Sequence, residues 1–197
     1  MKSFLVITLI LTSFLLFAQE EDKLVDARDG QEYKIITLDI PLVGGVSVSR
    51  TWMSENLNYA ADGSYCYTNE PAYCKKYGRL YTYASAREAC PEGWRIPTYK
   101  DWNTLALKYG GMANAADELI LGGTSGMNLL LGGFGDPGEV FKNIAISGNY
   151  WETETQNENT SGLITIQSDT EIVYHGLIGA FHRNSVRCIK EYEIDGE

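Results

Sequence analysis

Glu152 and Glu154 stand two apart just after Trp151. In an extended chain their side chains point to one side. A carboxylate pair beside an aromatic suits glycoside hydrolysis, in which one carboxyl is the acid and the other the base or nucleophile. The separation of the two carboxyls is not fixed by sequence, and acidic residues are common throughout the chain. His175 lies in an alternating run from Glu171 to Gly176, and His182 precedes Arg183. Two histidines seven apart, with no HxH or HxxxH spacing, read as isolated surface or loop residues rather than metal ligands. The oxygens of Asp136, Glu139 and the 152–159 segment are of the kind calcium takes, but no EF-hand pattern and no Glu-Pro-Asn triplet accompanies them. Gly123-Thr124-Ser125-Gly126 lacks the GxSxG elbow of a serine nucleophile, and no GxxxxGK[ST] phosphate loop is present. No catalytic residue, metal or cofactor is therefore assigned from the sequence.

Tyr65, Tyr67, Tyr73 and Tyr77 surround Cys66 and Cys74 in a turn-rich stretch, and they are the aromatic candidates for a ligand surface alongside Glu152 and Glu154. Core packing is an equally good reading for these rings. Trp52, Trp94, Trp102 and Trp151 have apolar neighbours and are expected in the core. The four cysteines, Cys66, Cys74, Cys90 and Cys188, read as two disulfides with three conceivable pairings. A spacing of eight makes Cys66–Cys74 a local staple, which leaves Cys90 for Cys188. A closed loop near 100 residues contributes about 4–5 kcal/mol by chain-entropy reasoning.

Alternation predicts strands over Gln31–Ile40, Val46–Met53, Leu163–Gln167, Glu171–Ile178 and Ser185–Tyr192. Helices are expected over Tyr81–Cys90 and from Tyr99 to Lys108, with Thr98 as cap and Asp101 completing a capping box. Trp102, Leu105, Ala106 and Tyr109 then form one apolar face, with Trp102 expected beneath Trp94. Residues 56–77 read as loop. The glycine-rich stretch from Gly110 to Gly138 reads as poor in regular structure, apart from a short helix over Asn114–Leu121. Helices early and strands at both ends make an α+β domain whose N- and C-terminal strands pair.

Phe4 to Ala18 carries no charge and follows Met1-Lys2-Ser3, the pattern of a secretory signal peptide over residues 1–18. The run falls short of the roughly 20 apolar residues of a membrane span. The expected organisation is a short acidic lead-in at 19–25, one domain over 26–192 and a tail at 193–197. Sixteen Lys and Arg against 26 Asp and Glu give a net charge of −10. Nucleic acid is an unsuitable partner, since its binding needs clustered basic residues.

Several segments resemble the Fibrobacter succinogenes major paralogous domain. These are Asp26 to Lys34, Thr51 to Tyr59, Tyr65-Cys66-Tyr67, Cys74 to Tyr81, Cys90 to Thr98, Gly148-Asn149-Tyr150-Trp151 and Ser185-Val186-Arg187-Cys188. That family occurs in exported bacterial proteins, often with a lipoprotein signal; here no cysteine follows the hydrophobic run. A more distant likeness, carried by Arg95-Ile96-Pro97-Thr98 with Trp102, Gly148 to Glu152 and Val186-Arg187-Cys188, is to formylglycine-generating sulfatase-modifying enzymes. It implies a C-type lectin-like fold, loop-rich, with two main helices and small antiparallel sheets. It does not bring their chemistry, because their pair of copper-binding cysteines has no counterpart. The resulting expectation is a secreted or envelope-located, non-catalytic binding or structural module whose partner is a polysaccharide or a cell-surface protein. An extracellular glycan-acting enzyme using Glu152 or Glu154 is the alternative.

Overall fold

Alternating apolar and polar residues build the first strands. The computed structural model describes residues 22–42, 44–170 and 172–191. In it β1 (Lys23–Val25) pairs with β2 (Glu32–Pro41), and β2 with β3 (Ser47–Met53), placing Ile36 opposite Trp52. Both long strands fall where alternation predicts them. The expected signal segment 1–18, the tail 193–197 and Tyr192 lie outside the described residues.

Next come β4 (Ser64–Tyr65), a 3-10 turn at Tyr67–Asn69, α1 (Pro71–Tyr77), β5 (Leu80–Tyr81), α2 (Tyr83–Ala89), β6 (Trp94–Arg95), α3 (Tyr99–Leu107) and α4 (Ala116–Leu119). Helix α1 differs from the loop expected over 56–77. Pro71 stands in its first turn, where a missing N–H is no loss and the fixed φ suits the helix. Gly78 ends it at φ 77°, and a Cβ there would sit 2.7 Å from the Asn56 Cβ. At α3 the capping box forms as the sequence predicts. Thr98 Oγ1 accepts the Asp101 N–H at 3.0 Å, and the Asp101 carboxylate accepts the Thr98 N–H at 2.9 Å. The described residues thus hold four helices: α2 and α3 where the two main ones were expected, α4 inside the short helix expected over Asn114–Leu121, and α1, which was not expected.

The second half is strand-rich: β7 (Gly132–Asp136), β8 (Val140–Ile144), β9 (Ser147–Asn157), β10 (Thr160–Gln167), β11 (Tyr174–Gly179), β12 (Asn184–Ser185) and β13 (Ile189–Lys190). Strand β7 lies in the Gly110–Gly138 stretch expected to be poor in regular structure and β8 just beyond it, and β9, the longest strand, carries too little alternation to be seen beforehand. The strand expected over 185–192 divides into β12 and β13, because Arg187 turns into the interior between them. One sheet runs β1-β2-β3-β13-β6 and the other β11-β10-β9-β12-β5-β4, with the β7–β8 hairpin attached through β9. Pairing is antiparallel except for the short contacts of β9 with β7 and β12. Ile189 faces Trp52, so N- and C-terminal strands do pair. The two disulfides are Cys66–Cys74 and Cys90–Cys188, the pairing that spacing gave. The result is a loop-rich α+β fold.

All four tryptophans are buried. They divide between two apolar clusters, one around Trp52, Trp102 and Tyr150 and one around Trp94, Trp151 and Tyr81. Trp102 therefore does not lie beneath Trp94. Its ring sits 5.0 Å from Trp52 and 5.7 Å from Tyr150. The chain turns at Pro97 and Thr98, so residues before and after the cap face different clusters. Between the sheets Arg187 is fully buried. It donates to Met53 O, Met127 O, Asn56 Oδ1 and Asn128 O at 2.6–3.2 Å.

Candidate functional site

The Cys66–Cys74 bridge holds the tyrosine-rich loop over the start of α1. Tyr67, a candidate for the ligand surface, is instead buried, its ring 5.3 Å from both Tyr73 and Phe141. Phe141 belongs to the β7–β8 hairpin, which the sequence did not reveal, and that hairpin is what covers Tyr67. The Tyr65 ring lies under the Arg183 guanidinium at 3.8 Å. Tyr73 and Tyr77 stack at 6.2 Å, both half-buried. Tyr77 also lines a groove.

That groove, about 340 Å³, is bounded by Lys76 and Tyr77 from α1, Ile120 and Leu121, Leu129 to Leu131, and Ala145. Its floor is set by backbone bonds between non-adjacent segments. The Leu121 N–H reaches Leu129 O at 3.0 Å, and the Ala145 N–H reaches Leu131 O at 2.8 Å. Leu121 is 64% exposed, an apolar side chain at the lip. Across Lys76 and Leu130 the groove adjoins a polar cleft of about 200 Å³ that includes Glu32, Glu55, Asn58 and Lys75. No sequence motif marks this groove, because its leucines come from a stretch without periodicity.

A second constellation lies on the other half of the chain. Between Ser161–Thr155 and Leu163–Trp151 the β9–β10 register shifts, so Glu152, Thr153 and Glu154 bulge opposite Gly162. Bulges re-aim side chains, and here the Glu152 carboxylate folds over Gly162. A Cβ on Gly162 would stand 1.5 Å from Glu152 Oε1, so the carboxylate occupies space that any other residue would fill. Glu152 is fully buried. Its Oε2 accepts the N–H of Tyr99 at 3.0 Å and of Glu154 at 2.8 Å. Its Oε1 lies 3.3 Å from His175 Nε2 on β11, and Glu154 Oε2 lies 3.6 Å from the same nitrogen. The Tyr99 ring rests on the imidazole at 4.3 Å. The expected carboxylate pair is thus brought together, but around a histidine that the sequence presented as isolated. Strand pairing across β9, β10 and β11 unites residues that no local spacing connects.

The remaining acidic candidates have other partners. The Asp136 carboxylate pairs with Lys142, and its Oδ1 lies 3.5 Å from His182 Nε2. Glu139 is exposed on the β7–β8 turn. Burial pushes the hydroxyl pKa of Tyr33 up to about 12, and Tyr81 is raised by burial as well.

Among the described residues no helix is long and apolar enough to cross a membrane. Two disulfides are consistent with an extracellular or envelope location. No curated protein and no solved structure matches the chain. A family model described as the Fibrobacter succinogenes major domain matches residues 48–190, and the chain belongs to that family.

Proposed function

We propose that the chain is an exported, non-catalytic binding module with a C-type lectin-like fold, and that it takes an apolar segment of a protein partner in the Tyr77–Leu121–Leu131 groove. Mostly antiparallel sheets, a loop-rich middle and the Cys90–Cys188 tie between the end of α2 and the last strands support the lectin-like reading. The observation that carries the function is the groove lining: leucine, isoleucine, alanine and one tyrosine, with Lys76 its single ionisable member besides Tyr77. Apolar side chains anchor in such clefts by leaving water, whereas a sugar needs convergent hydrogen-bonding groups. The adjoining polar cleft suits the flanks of the same bound segment.

The glycan-enzyme alternative draws support from the meeting of Glu152 and Glu154. Against it stands burial: Glu152, tied to two backbone N–H groups, has no exposed surface with which to reach a glycosidic bond.

A peptide array of random 12-mers, run beside a glycan array, tests the proposal. The expected result is selection of peptides with two or three apolar anchors, weakened at least tenfold by Leu121→Asp and by Ala145→Glu. Glycan binding indifferent to both substitutions, with no peptide selected, would overturn it.

A further inference from the structure

The Glu152–Glu154–His175 constellation shares no residue with the groove, and its construction asks for an occupant. Two carboxyl groups converge on one imidazole, with the three nearest ligand atoms all within 4.8 Å of one another. Among the described residues no Lys or Arg is hydrogen-bonded or ion-paired to either carboxylate. Burying a carboxylate without a cation is costly, so chains rarely keep one unless it is paired or binds a metal. Glu152 is fully buried and its orientation is fixed twice over, by the Tyr99 and Glu154 N–H groups on Oε2 and by the Gly162 surface beneath Oε1. Those bonds leave Oε1 facing His175. The Tyr99 ring holds the imidazole in turn.

We propose that Glu152, Glu154 and His175 bind a divalent transition ion, with zinc as the best fit. A tetrahedral zinc with bonds of about 2.0–2.2 Å sets neighbouring donor atoms roughly 3.3–3.5 Å apart. The two donor separations at His175 Nε2, 3.3 and 3.6 Å, are of about that size, and the two carboxylate oxygens, within 4.8 Å of each other, would draw together on the ion. An imidazole donor selects zinc and its neighbours over calcium, which takes oxygen ligands in larger number. His175 binds through the Nε2 lone pair, with its proton on Nδ1. The backbone N–H groups on Glu152 are the outer partners that orient a ligating carboxylate. Access is open, because the Glu154 and His175 side chains are 55% and 26% exposed. Three protein donors leave a fourth position for water or for a group from another molecule.

The test is calorimetric titration of the tag-free, chelator-treated protein with Zn²⁺, and with Ca²⁺ in parallel. One Zn²⁺ per chain is expected, bound at micromolar concentration or below. His175→Ala and Glu154→Ala should each weaken it at least tenfold, and His182→Ala should leave it unchanged. Zn²⁺ should also raise the melting temperature of the parent protein and not that of His175→Ala. Glu152 is left intact in these variants because its Oε2 also holds the start of α3. No uptake of Zn²⁺, uptake indifferent to His175→Ala, or tighter binding of Ca²⁺ would each overturn the assignment. Leu121→Asp should leave the titration unaltered, so failure of the groove proposal and failure of this one are separable.

Discussion

Replacing Arg187 with Met keeps most of its aliphatic bulk and removes a fully buried guanidinium. Four acceptors then lose their donor: Met53 O, Met127 O, Asn128 O and Asn56 Oδ1. Each buried acceptor left unpaired costs about 1–3 kcal/mol. Part of that loss is offset, since the parent protein already bears the cost of holding a charge away from water. Burial pulls the guanidinium pKa below its ordinary value, and its Nε has no partner. The expected net destabilisation is about 3–5 kcal/mol. Arg187→Lys should lose about half as much, because a point charge on a flexible stem cannot span acceptors that the planar fork reaches together. Equilibrium unfolding in urea, with both disulfides intact, measures both variants. A loss below about 1 kcal/mol for Arg187→Met would show that these loops are held by something other than the arginine.

Trp102→Ala removes a buried indole lying against Trp52 and Tyr150, and should cost about 3–5 kcal/mol in the same assay. Trp102→Phe should cost clearly less, because the indole N–H it deletes has no partner; equal losses would contradict the packing argument. The third prediction concerns pH. Burial opposes ionisation of Asp101, but hydrogen bonds from Arg95 and from the Thr98 N–H and hydroxyl outweigh it, so its carboxyl titrates below the ordinary range. The folded pKa being depressed, its stabilisation is complete above the unfolded value near 3.9 and is lost as pH falls through the folded one. The stability gap between the parent protein and Asp101→Asn should hold from pH 7 to about 5 and close below about 4; a gap unchanged at pH 3 would refute the linkage.

What the sequence determined are the features written locally or covalently. Alternation marks β2 and β3, and the Thr98–Asp101 spacing marks the start of α3. An even cysteine count and a spacing of eight assign Cys66–Cys74 and, by remainder, Cys90–Cys188. Apolar neighbours place all four tryptophans in the core, although not which tryptophan meets which. Tertiary structure alone decided the rest. Tyr67 is covered by a hairpin rich in glycine, a residue with no side chain to signal a strand. Arg187 meets Met53, 134 positions away in sequence, so its burial cannot be seen in its own segment. Glu152 is oriented by Tyr99, 53 positions before it, and faces His175 23 positions after it. A bulge in β9 and a glycine in β10 bring these three together, and neither has meaning until the strands are paired in register. Side-chain types are local, but the distances that make them a site are set by pairing across the fold.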